Sequence, residues 1–445
     1  MTKKQLLRER KSLLDELAAL QEENLRLRRR ASTNKEEAPP VPDDSFADET
    51  PVAQHRFSRF PLLRSVDQHY ENNDARAGDK PAKAESLIQI ADHLRKYAAA
   101  HFGIFTERMI FAHFLGAMAA SDIILLRQGD EHRSPLLLCQ AVAAALGQKL
   151  DLTTVQPHWS SAADLLGCAD PASKLYRETA FLRKLYAAGY EQGVCFSALD
   201  RVTAAPAEGY LSALLPALSL AHAEGSRFAR AIPLADAAWP GDPVLLREGT
   251  LPYPENFWLF GSIDAEDPLP GERLRGPAME FCLPALAEKN YLVSFAKPMA
   301  ITARELRAHF AHAADIFSLP GEALRRFRQT VQHLAEHLDF SLAAATESQL
   351  LRFCAVCLAC GMRPAEALDG FLYHKALRRL ETADPAALRF GLPGLRAFLS
   401  DTFGARELPL TMRLLDELEH AQAKIHPIEN EQETREKASK QEFEQ

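Results

Sequence analysis

The pattern of apolar and polar positions divides this chain into an α/β part followed by a helical part. Four short apolar runs, separated by stretches of helical periodicity, predict β-strands at 123–126, 152–156, 194–199 and 256–262. Strands that alternate with helices imply a mostly parallel sheet covered by helices on both faces. Helical periodicity also precedes the first strand, in residues 85–120. We therefore predict an α/β domain over residues 84–300.

Beyond residue 301 the periodicity is almost entirely helical. Apolar positions that recur every three to four residues predict helices at 304–317, 321–338, 347–361, 364–380, 391–403 and 408–423. Proline and glycine between these segments supply helix stop and start signals. The sequence therefore predicts an all-helical domain over residues 301–425. The charged residues 426–445 are expected to be disordered.

The first thirty residues contain leucine at every seventh position. Leucine in one seam position and asparagine in the other are typical of a parallel two-stranded coiled coil. The seam residues are Leu6, Leu13, Leu17, Leu20, Asn24 and Leu27. We predict a coiled-coil helix over residues 1–30, through which the chain associates with itself or with a partner protein. The alternative is an amphipathic helix that docks on the chain's own body.

Residues 31–83 predict a flexible linker, because they are rich in proline, charge and turn-forming residues and poor in periodic apolar positions. Within this stretch, a short apolar group could dock on a neighbouring protein. Its members are Phe57, Phe60, Leu62 and Leu63.

Composition places the chain among large globular proteins. It has 445 residues, 47% hydrophobic and 25% charged, enough for two or three domains with a sizeable core. The formal net charge of −8 gives no global attraction to nucleic acid or to an anionic membrane. No apolar run reaches the ~18–20 residues that a membrane span requires, and the charged N-terminus is unlike a secretion signal. Since the seven cysteines are odd in number and lie mostly in apolar stretches, we expect a cytoplasmic protein.

Candidate chemistry begins at the first strand, where a buried strand, a polar loop and an apolar helix follow one another. This is the layout of a phosphate-binding loop, G-x-x-x-x-G-K-[ST]. Gly129 holds the first glycine position. Ser134, Pro135 and Leu136 stand at the positions of the second glycine, the lysine and the hydroxyl residue. Pro135 has no N–H to offer a phosphate, but it fits the first turn of the helix. Acidic loop residues or the Ser134 hydroxyl can satisfy the helix N-terminus, so we expect a loop that closes without a ligand.

Further segments occur in order along the chain and resemble the McrB-type branch of AAA+ nucleoside triphosphatases, the motor subunits of modified-cytosine restriction systems. Residues 155–167 are similar to V-x-P-x-W-x-x-x-x-D-L-L-G, and residues 254–267 are similar to the sensor strand P-x-N-x-x-x-x-G-T-x-N-x-D-E. Residues 194–210 resemble the Walker B strand and the segment after it. This stretch keeps Leu199, Asp200, Ala205, Glu208 and Tyr210. Residues 274–281 are similar to D-R-A-x-x-x-E-F, with Arg275 on the arginine, and the segment from Glu366 resembles the helical lid.

This resemblance covers roughly residues 85–425 and implies an AAA+ fold of P-loop type. The expected architecture is a parallel sheet with helices on both faces, followed by an all-helical lid domain and preceded by the N-terminal coiled coil.

The departures from the family pattern concern the residues that carry its chemistry. The lysine position is Pro135, the Walker B glutamate that polarises the attacking water is Arg201, and the sensor asparagine is Asp264. Phosphoryl transfer depends on positioning and charge stabilisation, most of which these replacements remove. Asp200 could still reach a magnesium ion, or it could cap the end of its strand. We therefore predict no catalytic residue, no metal and no cofactor. The remnant of the nucleotide site, expected to stay empty, comprises Gly129, Ser134, Asp200 and Asp264.

The resemblance implies a catalytically inactive AAA+ subunit that acts as an assembly, adaptor or regulatory component, as in a McrBC-like restriction or anti-phage defence system. AAA+ modules bind nucleotide between subunits, and by resemblance Arg275 would act in trans on the phosphates of an active AAA+ neighbour. Two alternatives stay open. One is a divergent active motor that binds ATP or GTP with magnesium through Arg127, His132 or Arg133. The other is a nucleic-acid-binding scaffold, which a basic channel hidden in an acidic chain would permit.

Three cysteines, Cys354, Cys357 and Cys360, lie three residues apart along an apolar helical segment. Such spacing could ligate zinc or an iron–sulfur cluster, but no fourth ligand lies close by with motif spacing. Our interpretation is that they pack in the core as small hydrophobic side chains.

Overall fold

The computed structural model describes residues 58–72, 86–127, 134–220, 230–264, 267–283, 296–340, 342–343, 345–404 and 406–425. These residues belong to one compact unit, His55–Gln445. The predicted coiled coil of residues 1–30 and the tail of residues 426–445 lie outside the described residues.

The strands form one main sheet and two small hairpins. In chain order they are β1 (Ile123–Arg127), β2 (Leu150–Thr154), β3 (Gly167–Ala169), β4 (Tyr176–Glu178), β5 (Cys195–Asp200), β6 (Ala231–Pro233), β7 (Thr250–Pro252), β8 (Phe257–Ile263) and β9 (Met279–Cys282). The main sheet has the order β2-β5-β8-β1-β9 and all its strands are parallel, whereas β3 pairs with β4 and β6 with β7 in antiparallel hairpins.

The sequence pattern predicts four of the five main strands and misses β9. That strand has only four residues, and Glu280 interrupts its apolar run, so it gives no periodic signal.

Helices cover both faces of the sheet. Those of the α/β part are α1 (Pro61–Asn72), α2 (Leu87–Phe102), α3 (Arg108–Ala120), α4 (Leu136–Ala145), α5 (Ala162–Leu166), α6 (Ala180–Ala188), α7 (Ala207–Tyr210), α8 (Leu215–Ser219) and α9 (Glu272–Arg275). The helical part contains α10 (Ala303–Ile316), α11 (Gly321–Leu338), α12 (Ala345–Ala359), α13 (Pro364–Phe371), α14 (Pro385–Phe403) and α15 (Pro409–Ile425). A parallel sheet between helices, followed by a helical part, confirms the expected α/β architecture with an all-helical C-terminal part.

Two hydrophobic cores lie on opposite faces of this sheet. Successive side chains of a strand point to opposite faces, and β1 shows the consequence. Ile124 and Leu126 belong to the core that includes α2, α3 and α4, whereas Ile123 and Leu125 belong to the core that includes α1 and α6. The continuous apolar runs of β1 and β8 result from burial on both faces.

The helical part shares the first of these cores, so no separate core marks the predicted boundary at residue 300. Helices α3 and α12 pack closely because α3 carries glycine at the contact. A Cβ on Gly116 would lie 3.0 Å from Phe353 and 3.2 Å from the Cys357 sulfur. The cysteines Cys354, Cys357 and Cys360 are all fully buried at this interface. The interpretation that they are core residues is confirmed, and burial raises the pKa of all three thiols, that of Cys360 to about 12.

The single helix predicted at 364–380 is wrong in its second half. Helix α13 ends at Phe371, and the chain continues as a π-helical turn, Leu372–Ala376, and a 3₁₀ segment, Arg378–Thr382. The wider turn carries two polar side chains, His374 and Lys375, into the protein interior. Hydrophobic periodicity cannot reveal such a change, because the polar groups of both side chains bond to partners that lie elsewhere in the chain.

The predicted linker of residues 31–83 contains a docked helix. Helix α1 packs on the α/β part through Phe60 and Leu63, both fully buried, and the Phe60 ring stacks on Tyr176 with centroids 4.6 Å apart. The Glu178 carboxylate accepts hydrogen bonds of 2.7 Å from the N–H groups of Leu62 and Leu63. The apolar group that we expected to bind a neighbour therefore binds its own chain. Phe57 lies outside the described residues.

A buried carboxylate in the middle of α1 binds the helix to the α/β part. Asp67 is fully buried, and it accepts hydrogen bonds from the hydroxyls of Tyr186 (2.5 Å) and Tyr190 (2.6 Å). Burial and this carboxylate raise the pKa of Tyr190 to about 12. None of the helices in the described ranges is long and apolar enough to cross a membrane.

Candidate functional site

The carboxyl edge of the main sheet brings together several of the residues that the sequence marks as candidates for a nucleotide site. Strands β1, β5 and β8 are adjacent and parallel, so their last residues lie along one edge. That edge therefore holds Arg127, Asp200 and, one residue after β8, Asp264. Gly129 and the rest of the loop from 128 to 133 lie outside the described residues.

The exit of the phosphate loop is closed by its own residues. Pro135 has helical backbone angles (φ −60°, ψ −21°), as expected for a proline that begins a helix. The N–H of Leu136 donates to the Ser134 hydroxyl oxygen at 3.3 Å, and the N–H of Leu137 donates to the Ser134 carbonyl at 3.0 Å. Two helix N-terminal N–H groups that would face a phosphate in a working loop are thus satisfied internally.

Two of the replaced catalytic positions form an ion pair with each other. The Nε of Arg201 lies 3.2 Å from Oδ2 of Asp264, and its Nη2 lies 3.3 Å from Oδ1 of Asp267. Asp267 also accepts a hydrogen bond of 3.1 Å from the Thr203 hydroxyl. Arg201 adopts a left-handed backbone conformation with φ of 54°, which is rare for residues other than glycine. The sequence marks Arg201 and Asp264 as separate losses and does not reveal Asp267 as their partner.

Asp200 is engaged by the neighbouring strand. The Ser262 hydroxyl donates to Oδ1 of Asp200 at 2.9 Å, and the N–H of Arg201 donates to the Ser262 oxygen at 2.7 Å. These bonds tie the end of β5 to β8. The geometry supports the interpretation of Asp200 as a residue that fixes a strand end.

The side chain of Arg127, at the end of β1, binds the helical part. Its guanidinium pairs with Glu381 of the 3₁₀ segment, and Glu381 also pairs with Arg378 at 2.8 Å. Arg378 in turn contacts Glu417 of α15 at 3.1 Å. Burial lowers the pKa of Arg127. These contacts hold the Arg127 side chain against the helical part.

Arg275 is buried within the chain, and the role in trans that the resemblance implies for it stays a prediction. Its side chain is 1% exposed, and Nε and Nη2 bind the two oxygens of Glu280 at 2.8 and 3.1 Å. A third contact, of 3.3 Å, joins Nη1 to the Thr382 hydroxyl. Moving this guanidinium outward would leave Glu280 buried without its counter-charge, so the pair holds Arg275 in place in this conformation. Arg275 fastens β9 to the helical part.

A buried lysine completes this attachment. Lys375 is fully buried, and its ammonium donates to the carbonyls of Arg275 and Ala278, both at 2.5 Å. Burial lowers the pKa of Lys375 to about 8. The ammonium satisfies carbonyl groups at the C-terminus of α9, where a positive charge is favourable.

The residues that match the family pattern have structural roles. Asp164 forms a capping box with Ser161 at the start of α5, and Asn256 donates to three carbonyls at the amino edge of the sheet. Glu208 accepts from the N–H of Arg273 at 3.2 Å. The Tyr210 hydroxyl donates to the Val202 carbonyl at 2.7 Å. The residues of this chain that match the family pattern are therefore ones that stabilise the fold.

The described residues do not fit magnesium and a nucleoside triphosphate. Pro135 and Leu136 offer neither the cation nor the hydroxyl that such a ligand requires, and Asp200 is bound by Ser262. A guanidinium, that of Arg201, stands where a carboxylate must orient water. We derive no reaction step through this site.

Neither a protein-family model nor a curated protein matches the chain. Among solved structures, it is similar to a proposed ATPase from Cytophaga hutchinsonii, with 12% identity and a TM-score of 0.45. The similarity covers 76% of this chain and 97% of the other. The architecture described above rests on the strand order and helices of this chain alone.

Proposed function

We propose that the protein is a catalytically inactive AAA+ subunit that acts as an assembly, adaptor or regulatory component of a larger complex. The observation that carries the proposal is the ion pair between Arg201 and Asp264. These residues stand at the positions of the catalytic glutamate and the sensor asparagine.

The pair is incompatible with hydrolysis for a simple chemical reason. The attacking water must be oriented by a carboxylate or amide that is free to accept its proton or hydrogen bond. An arginine stays protonated and offers only donors, and here it also occupies the carboxylate at the sensor position. With Pro135 in place of the lysine, charge stabilisation of the phosphates is lost as well.

A second line of support is a set of side-chain contacts between the two parts of the fold. These contacts join the α/β part to the helical part directly. The contacts are Arg127 with Glu381, Arg275 with Thr382, and Lys375 with the carbonyls at the end of α9 and just beyond it. A subunit of this kind keeps its shape whether or not a neighbour hydrolyses nucleotide.

We further propose that the complex belongs to the McrB-type branch and serves restriction or anti-phage defence. The support for this is the ordered series of sequence segments and the structural roles of the residues that match. The partner would be an active AAA+ subunit, and the heptad leucines of residues 1–30 would join copies or recruit it.

Phosphate release from ATP and GTP by the purified full-length protein tests the first part. We expect release at the level of buffer, unchanged in the Asp200→Ala variant. Release above that level, abolished by Asp200→Ala, would overturn the proposal in favour of a divergent motor. Thermal melts provide an independent check, since stabilisation by a ligand requires binding to the native state. We expect no shift with millimolar magnesium and nucleotide.

Affinity purification from the native host tests the adaptor role. We expect an intact AAA+ ATPase among the bound proteins, lost when Leu13 and Leu20 are replaced by aspartate. Recovery of the chain alone would contradict it.

A further inference from the structure

We propose that a cleft at the amino edge of the sheet binds a short peptide segment of a partner protein, with acidic and apolar side chains. The cleft lies between the β6–β7 hairpin and helix α10. The proposal rests on the adaptor role, since it states the chemistry of the partner, but it does not depend on the loss of hydrolysis.

The cleft is large and lies away from the former nucleotide site. Its volume is about 1030 Å³, above the range of about 300–1,000 Å³ typical of ligand pockets. Asn256, just before β8, lies at its base, so the cleft opens at the amino edge of the parallel strands. Arg127 and Asp200, which end β1 and β5, lie at the opposite, carboxyl edge.

Two arginines on opposite walls supply positive charge that the fold does not use. Arg247 belongs to the hairpin wall and Arg304 to the first turn of α10, and both are exposed. Within the described residues, neither guanidinium meets a hydrogen-bond or ion-pair partner.

A third lining arginine is already occupied. The Arg307 guanidinium lies 2.8 Å from the buried Asp122 and is stacked 4.2 Å above the Trp258 ring. It serves as a fixed part of the wall.

The acidic lining residues do not cancel this charge. Glu191 lies 3.7 Å from Lys184 and accepts a hydrogen bond of 3.3 Å from the Tyr70 hydroxyl. Glu255 interacts with another residue of the chain. On the two walls, Arg247 and Arg304 are the charged side chains without a partner among the described residues. Their positive charge favours an anionic occupant.

Small apolar side chains are exposed among the polar groups of both walls. On α10, Ala308 and Ala311 come after Arg304 at helical spacing, and both are exposed. Residues four and seven positions apart share one helix face, so this face presents small side chains with room above them. The opposite wall exposes Val244, with a relative exposure of 58%.

This combination selects a peptide over other anions. Apolar surface between two separated cations fits a chain that alternates acidic and apolar side chains. The net charge of −8 works against the approach of a nucleic acid.

Fluorescence polarisation with labelled octapeptides tests the proposal on the full-length protein. The probe alternates glutamate and leucine, and its counterpart alternates lysine and leucine. We expect the first to bind and the second not to bind. The Arg247→Glu and Arg304→Glu double variant should weaken binding at least 10-fold, and so should Ala308→Trp, which fills the cleft. Arg325→Glu, on the exposed face of α11, is the matched control and should leave binding unchanged.

Several outcomes would overturn the proposal. They are failure of the glutamate–leucine peptide to bind wild-type protein, equal binding to the double variant, or binding of a labelled DNA oligonucleotide that depends on the same two arginines. Circular dichroism and melting of each variant exclude misfolding as the cause. Phosphate release is measured separately. If the peptide does not bind and no phosphate is released, the peptide site is refuted and the proposal of an inactive AAA+ subunit stands.

Discussion

Nε of Arg201 lies 3.2 Å from Oδ2 of Asp264, across the gap between the ends of β5 and β8. Both side chains are about half exposed, at 52% and 42%, so the pair is screened by water and contributes at most about 1 kcal/mol. Under the proposed function its importance is chemical, because by the family resemblance these two positions orient water in a working module.

The backbone of Arg201 provides a first prediction. A left-handed conformation costs roughly 1–2 kcal/mol for residues other than glycine. Arg201→Ala loses the ion pair and keeps this cost, whereas Arg201→Gly loses the pair and relieves it. We therefore expect the glycine variant to be more stable than the alanine variant by about 1 kcal/mol in urea unfolding. Equal stabilities would show that the conformation at 201 is not strained.

The contact between Gly370 and His113 provides a second prediction. A Cβ on Gly370 would lie 2.3 Å from Nε2 of His113, which is fully buried. We expect Gly370→Ala to destabilise the protein by about 1–3 kcal/mol, the usual cost of overpacking. Gly394→Ala in α14 is the matched control, since a Cβ there meets nothing within 4 Å. That variant should be neutral or slightly stabilising, because alanine favours helix.

A buried histidine pair makes stability depend on pH. Nε2 of His374 lies 3.3 Å from Nδ1 of His113, and burial lowers the pKa of His113 to about 4. The unfolded histidine takes up a proton near pH 6.5, whereas the folded one stays neutral to about pH 4. This contribution is complete above pH 6.5 and is lost as the pH falls from 6.5 to 4.

From pH 7 to pH 5 we expect the free energy of unfolding to fall by on the order of 2 kcal/mol through His113. Urea unfolding at the two pH values measures it. The difference should shrink in His113→Gln and persist in His101→Gln, whose side chain is exposed. An unchanged difference in His113→Gln would contradict the assignment.

Helix α1 provides a fourth prediction, because residues 58–72 belong to the folded body. Phe60 is fully buried whereas Leu62, two residues later, is 42% exposed. We expect Phe60→Ala to cost about 3–5 kcal/mol and Leu62→Ala less than about 0.5 kcal/mol. Thermal or urea unfolding of both variants distinguishes a docked helix from a linker, for which the two substitutions would have similar small effects.

The sequence by itself determined the local elements and the positions at which the chain departs from the family pattern that it resembles. Periodicity located four strands of the main sheet and most helices of the helical part, since alternation and helical spacing depend directly on which face of an element is buried. The residues at 135, 201 and 264 are readable as losses without coordinates, because each reaction step requires a particular functional group.

Only the tertiary structure decided what those residues do instead. Arg201 and Asp264 are far apart along the chain, and their pairing depends on β5 and β8 being neighbours in the sheet. The identity of residue 275 as arginine does not reveal whether its side chain points to solvent or binds Glu280. Phe60 reads as part of a linker until β4 and α6 provide the surface that covers it. Local sequence determines which secondary structure a segment can form. The partner of a charged or aromatic side chain depends instead on residues that are distant along the chain.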